Sequence, residues 1–522
     1  MSTSRPMTGQ PVQAPERPAW LAQRDAVAAI VTIVLVGGVL RIQQAVVGGF
    51  PLGDGGLFYA TIEQVRAAGG LPPTIFYNGE VPLVYPPLGF IVAAAAASLT
   101  GVGTEAALRI LPPLLSIGTL LVIPWSASRF LNSRPAGLLA GALLAVTPQT
   151  YDQLVAGGGV TRALGMLLAL VAVGAAAGSH PTRPRGIVVG ILLGLAALAH
   201  PRVAIFALGS VAFVWWRDRA RVSRSEILVA LGVAALCVLP WLALVVARDQ
   251  FDALTSAGQR LDVVVGAVSL LVYPGMQLMH GGLPNIAAVL AISGVTASLF
   301  MRRWDILVWL VMVHLLNCPP FISAVAWSIA GAAGLWDLGS LLWKPTWSAR
   351  AAIMPVAVLT FLALLSATAS PADPGSKQQP MLPAQVEAAR ELAELPETAR
   401  VAVVTSETWG NDLFGEWLPV LSARTVVTTP QGSEWLGAET FGERVEAHRT
   451  GQRCSRETSE CVANAITNSE LDATHIVVPR GSVAGPRAPD DCCPALLETI
   501  YADGRFEIVI DSPGALVAAW DP

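Results

Sequence analysis

Residues 41–68 read RIQQAVVGGFPLGDGGLFYATIEQVRAA, and the order of polarity in this stretch decides how the rest of the chain is read. Arg41 closes an apolar run that begins near residue 25, and a run of roughly 20 such residues is what a bilayer's hydrocarbon core demands of a helix. Gly, Pro and Asp follow, the residues of a turn in water. From Gly55 to about Ala68 the pattern is that of an amphipathic helix. Apolar stretches of the same kind recur along the chain. Of 522 residues, 53% are hydrophobic and 13% charged, where a soluble protein carries about a quarter charged residues. With a mean hydropathy of +0.57, a single water-soluble globule is excluded and a polytopic α-helical membrane protein is implied. A net charge of -4 without any long run of Lys or Arg gives no surface for nucleic acid.

The cationic residues fall in clusters: Arg5, Arg17 and Arg24; Arg129 and Arg134; Arg183 and Arg185; Arg217, Arg219, Arg221 and Arg224; Arg302 and Arg303; Lys344 and Arg350. If these mark cytoplasmic loops, an even number of crossings must separate successive clusters. Spans at 25–47, 107–127, 135–150, 163–178, 186–200, 202–216, 226–247, 284–301, 304–318, 320–343 and 350–368 satisfy this. The stretches 86–101 and 262–273 do not cross. The first of these, Ala-rich and opening with Pro86-Pro87, reads as a juxtamembrane or re-entrant helix on the outer side. The expectation is about 11 transmembrane helices with a cytoplasmic N-terminus. Residues 1–24 form a disordered cytoplasmic leader, the first span is a retained signal anchor, 25–368 is the transmembrane domain with its first outer loop at 48–106, and 369–379, rich in Ser, Pro, Asp and Gly, is a linker.

Residues 380–522 read as an extracytoplasmic α/β domain. A helix at 384–395 precedes strands at 401–405, 424–428, 475–478 and 506–510. Cys454, Cys461, Cys492 and Cys493 suit either two disulfides or a zinc site. Without C-x-x-C or finger-spaced His, disulfides are favoured, with Cys492 and Cys493 pairing to Cys454 and Cys461 because a bridge between neighbours is strained. Trp409, Trp417 and Trp435 either pack or meet sugar or the membrane interface.

The first outer loop carries the most specific signals. Arg41 ends the first span, Asp54 opens the loop ahead of Leu57-Phe58-Tyr59, and Tyr85-Pro86-Pro87-Leu88 ends it; Gly101 to Arg109 and Thr147-Pro148 to Asp152 follow. In this order the motifs resemble those of the GT-C superfamily of membrane glycosyltransferases, in particular the group with protein O-mannosyltransferases and lipid A aminoarabinose transferases. The likeness spans roughly residues 25–250. Many relatives carry Glu after the Asp, where this chain has Gly55. The resemblance implies a polyprenyl-phosphate sugar as donor and inverting transfer at the outer face of the plasma membrane, to a lipid, glycan or protein acceptor of the cell envelope.

That reaction needs a carboxylate to take the acceptor hydroxyl's proton and cations or donors on the leaving phosphate. Asp54 is the candidate base, although an Asp before Gly55-Gly56 also suits a helix N-cap. Asp152 is the second acid, orienting the acceptor or holding a divalent cation together with Asp54. Arg162, after Gly157-Gly158-Gly159, and Arg202 are candidates for the donor phosphate. Arg202 is notable because the charge count puts it on the outer side; its plainer reading is a snorkelling side chain. His200 fits phosphate binding or a helix-end hydrogen bond, and Arg41, which faces the cavity or the headgroups, is a further candidate for the donor phosphate. Glu63 and Arg66 form an intrahelical pair. His280, His314, Asp337 and Arg350 read as structural or interfacial, and Trp327, Trp336, Trp343 and Trp347 as an aromatic belt. The competing classes are a transporter or lipid flippase, which needs ionisable groups at mid-membrane, and a non-catalytic receptor or assembly factor that binds through the tail.

Overall fold

The computed structural model describes residues 19–47, 53, 55–178, 183–258, 263–279, 286–342, 381–481 and 492–521. The expected leader up to residue 18, the span at 350–368, the linker at 369–379, and Asp54, His280, Trp343, Lys344, Trp347 and Arg350 lie outside these residues.

The helix α1 (Ala19–Val47) leads to α2 (Gly55–Ala68) and a short hairpin, β1 (Thr74–Phe76) and β2 (Glu80–Pro82). There follow α3 (Leu88–Thr100), α4 (Thr104–Leu131), α5 (Arg134–Val146), α6 (Pro148–Val155), α7 (Gly159–Ala176), α8 (Arg183–Ala199), α9 (Pro201–Arg217) and α10 (Arg224–Ala247). Next come α11 (Phe251–Gly258), α12 (Val263–Met279), α13 (Ile286–Phe300), α14 (Trp304–Leu315) and α15 (Pro320–Leu342). Five of the described helices, the central part of α1 together with α4, α7, α10 and α15, are long and apolar enough to cross a membrane; α3, α5, α8, α13 and α14 are shorter and also apolar. In lipid no water satisfies a free peptide group, so apolar chain of this length is driven into helices.

Packing holds the bundle together through small residues. A Cβ on Gly294 of α13 would lie 2.0 Å from the Gly331 carbonyl of α15, and one on Gly334 would lie 1.8 Å from the Gly294 carbonyl, so these helices touch backbone to backbone. Arginines tie helix ends at one end of the bundle. Arg217 donates to the Phe130 carbonyl at 2.7 Å, Arg185 pairs with the fully buried Glu226, with Nη2 to Oε2 at 2.9 Å, and Arg303 pairs with Asp337 at 2.6 Å. At the other end Arg66 donates to Thr104 at 2.9 Å and pairs with Glu63 at 2.8 Å, as the i,i+3 spacing implies. The bond to Thr104 joins the end of α2 to the start of α4. Trp327 departs from the belt assignment: it is buried and donates to His314 Nε2 at 2.9 Å, because an indole N–H turned into a bundle needs an acceptor.

The tail holds α16 (Pro383–Glu391), β3 (Arg400–Val403), α17 (Leu413–Ser422), β4 (Thr425–Val426), α18 (Ala438–Cys454), α19 (Ser459–Thr467), β5 (His475–Pro479), α20 (Pro494–Ala502), β6 (Phe506–Asp511) and β7 (Ala515–Trp520). The sheet order is β4-β3-β5-β7-β6. Its β3 runs parallel to β4 and β5, whereas β7 is antiparallel to β5 and β6. The four expected strands are present; β7 was not expected, because four of its residues are buried in succession and no alternation marks it. The disulfide expectation is corrected. Cys454 pairs with Cys461, and Cys492 with Cys493. The turn from α18 into α19 brings the Cα atoms of Cys454 and Cys461 within 5.4 Å, so that bridge closes locally.

Substituting Gly294 by Val should force α13 and α15 apart and lower stability by ~1–3 kcal/mol, read as a lower midpoint of thermal unfolding in detergent; an unchanged midpoint would show that the two backbones do not touch.

Candidate active site

The first turn of α2 is wedged beneath α17. An ideal Cβ on Gly55 would stand 2.2 Å from the Trp417 ring, and one on Gly56 2.4 Å from the Glu416 carbonyl oxygen, so only glycine permits this approach. The Gly56 N–H donates to Glu416 Oε1 at 3.3 Å, and the Tyr77 hydroxyl donates to the Glu416 carbonyl. Asn78 brackets Val426 on β4, its Nδ2 donating to the carbonyl at 2.7 Å and its Oδ1 accepting from the amide at 2.8 Å. One side chain thus covers part of a sheet edge that would otherwise expose unpaired backbone. Leu57, Ile62, Val65, Ile75 and Val81 share one apolar cluster with Phe414, Trp417, Leu418 and Trp435. The first loop and the tail therefore occupy the same end of the molecule. Asp412 caps α17, accepting from Gly415 at 2.9 Å. Burial raises its pKa, opposed by His448 and by that amide.

Around Tyr85 four separate stretches of chain meet. Its ring lies 6.0 Å from Phe58, 5.7 Å from Phe90, 6.3 Å from His200 and 6.0 Å from Trp435, centroid to centroid, and its hydroxyl is 3.5 Å from Thr161 Oγ1. Thr161 precedes Arg162 in the first turn of α7, and His200 is the N-cap of α9, its Nδ1 accepting from the Val203 amide at 3.4 Å. Arg202, in the first turn of α9, is half-buried and donates to the Asn317 carbonyl at 3.5 Å. The N-termini of α7 and α9, each with an Arg in the first turn, thus stand beside the first loop. Helix N-termini carry partial positive charge, so the arrangement, with an Arg in each first turn, suits an anion.

Arg41 is fully buried. Its Nε donates to Ser116 at 2.8 Å, Nη1 to the carbonyls of Gly37 and Ala145 at 2.9 and 3.2 Å, and Nη2 to Thr150 at 3.3 Å, and it lies over the Tyr151 ring at 5.4 Å. These bonds join α1, α4 and α5 to α6, the helix that carries Asp152. Asp152 has its backbone in α6; its side chain, like all of Asp54, lies outside what the structure describes. Among the described residues no group of three or more His, Cys, Asp and Glu is placed to hold a metal ion. Trp417 and Trp435 do pack, as the plainer reading had it, but onto the loop that bears Asp54. The roles of Tyr77, Asn78 and Glu416 had no signal in sequence, since their partners are more than 300 residues away.

The family model for dolichyl-phosphate-mannose-protein mannosyltransferase matches residues 84–244, which include Tyr85, Arg162, His200 and Arg202. No curated protein sequence matches the chain. Among solved structures, the oligosaccharyltransferase AglB of Archaeoglobus fulgidus, in complex with an inhibitory peptide and a dolichol-phosphate, aligns with a TM-score of 0.51 at 14% identity over 88% of this chain and 70% of its own. The same enzyme in complex with Zn and sulfate gives a TM-score of 0.53 at 14% identity over 86% and 68%. ArnT of Cupriavidus metallidurans bound to undecaprenyl phosphate gives a TM-score of 0.47 at 15% identity over 94% and 97%. At these identities the structural likeness is one of fold.

Lysine at position 41 keeps the charge but not the planar fork. Arg41→Lys should cost ~2–4 kcal/mol through two or more lost buried hydrogen bonds, seen as a lower unfolding midpoint. Wild-type stability would contradict the structural role.

Proposed function

We infer that this chain is a membrane glycosyltransferase of GT-C type, a reading supported by its fold and by the family match over residues 84–244, and that it moves a sugar with inversion from a polyprenyl-phosphate donor to an acceptor hydroxyl at the extracytoplasmic face. The observation that carries the reading is the meeting at Tyr85 of the first loop with the N-termini of α7 and α9. Eleven spans, with the N-terminus cytoplasmic, put the loop and the tail outside and the arginine-tied helix ends inside, in accord with the positive-inside rule.

In this reading Asp54 accepts the proton of the acceptor hydroxyl as its oxygen attacks the anomeric carbon. The bond from that carbon to the phosphate oxygen breaks on the opposite face, and the electron pair leaves with the polyprenyl phosphate. Arg162, Arg202 and the two helix N-termini hold the leaving phosphate, whose charge rises as the bond breaks. Asp152 orients the acceptor, and Arg41 fixes α6, which presents it. His200 caps α9 and thereby places Arg202. The lipid tail enters sideways from the bilayer, as befits a donor that never leaves it. The archaeal oligosaccharyltransferase is held with a dolichol-phosphate, a donor-type lipid of the same chemistry.

Incubating the purified protein with a panel of radiolabelled polyprenyl-phosphate sugars should give transfer. Asp54→Asn should reduce turnover by ~100-fold or more with unchanged unfolding; unchanged turnover removes Asp54 from the role of base. Arg162→Gln and Arg202→Gln should each weaken binding of polyprenyl phosphate by ~10-fold, measured by titration in detergent. Equal affinity in both variants would place the phosphate elsewhere.

A further inference from the structure

Glu416 is a buried acidic residue of the tail: it is 3% exposed, in the first turn of α17, against the start of a helix 360 residues earlier in the chain. The leading amides of α2 have no acceptor within their own helix. Glu416 Oε1 accepts from Gly56 and so supplies one of these bonds from outside the loop. Its own backbone is fixed by the Tyr77 hydroxyl from the turn between β1 and β2, while Trp417 closes over Gly55 and Tyr59, its ring 5.8 Å from that of Tyr59. Asn78 holds the same turn to β4. The loop and α17 therefore grip each other on both sides of the helix start that follows Asp54.

We propose that Glu416 is a positioning residue for sugar transfer, capping α2 from the tail so that the start of that helix, and with it the first loop, is fixed against α17. This rests on the glycosyltransferase reading above, and it makes the tail a working part of the active site. A shift of about 1 Å in a reacting group is enough to slow a reaction by ~100-fold, so the expected effect lies in kcat.

The test uses the full-length protein in detergent with three variants, Glu416→Gln, Glu416→Ala and Tyr77→Phe. Glu416→Gln keeps an acceptor for Gly56 and should stay within ~3-fold of wild-type kcat, whereas Glu416→Ala should lose ~10–100-fold in kcat with both KM values little changed. Tyr77→Phe, which keeps the ring, should fall between them and decides the matter if Glu416→Ala unfolds. Hydrogen exchange of the peptide covering 55–68 supplies a readout independent of turnover: its amides should exchange faster in Glu416→Ala and not in Glu416→Gln. Wild-type exchange in Glu416→Ala, or wild-type kcat in both Glu416→Ala and Tyr77→Phe, overturns the proposal. Faster exchange in a protein that transfers no sugar even as wild type would leave the cap standing, sink the glycosyltransferase reading and end the catalytic role of Glu416 with it.

Discussion

One apolar core shared between the first loop and the tail is the constraint on which the site depends. Residues of α2, β1 and β2 and of α3 are buried in the same cluster as residues of α16, β3, α17 and β7, and neither partner would be covered without the other. A loop of this length left in water would keep its conformational freedom, at a cost of ~1–2 kcal/mol for each residue fixed. Burial against the tail offsets that cost. Tyr85, at the end of the loop, is then in place to gather the starts of α7 and α9.

Within the bundle the same economy of polar groups applies. Arg41 is a cation surrounded by helices, and it persists because carbonyl and hydroxyl oxygens from three other elements accept its protons. The outcome is a rigid link between the first helix and α6. An arginine at the end of the first helix thus has an architectural effect, whatever else it touches. His200 is similar: as the cap of α9 it settles where the next turn, and therefore Arg202, is presented.

Much of the bundle was legible in sequence because lipid imposes a simple rule, long apolar runs ended by charges, and the arginine clusters at 129–134, 185 and 217–224 fall at helix ends as that rule requires. The Glu63–Arg66 pair was legible for the same local reason. What was not legible is long-range. Glu416 and Asn78 make bonds to residues 339 to 360 positions away, and nothing in their immediate neighbours marks them. The pairing of cysteines failed on a related point: the expectation weighed the strain of a bridge between neighbours but could not see the turn from α18 to α19 that brings Cys461 to Cys454. The Ala-rich β7 escaped because a strand buried on both faces shows no period.

The central claim is that the starts of α7 and α9, beside the first loop, hold the donor's phosphate. An experimental structure of the protein with a bound polyprenyl phosphate tests it most directly. The account predicts phosphate density within hydrogen-bonding reach, about 3 Å, of the guanidinium groups of Arg162 and Arg202, with the lipid tail running out into the bilayer. Phosphate bound at the arginine-tied opposite end of the bundle, or to the tail away from Tyr85, would contradict it.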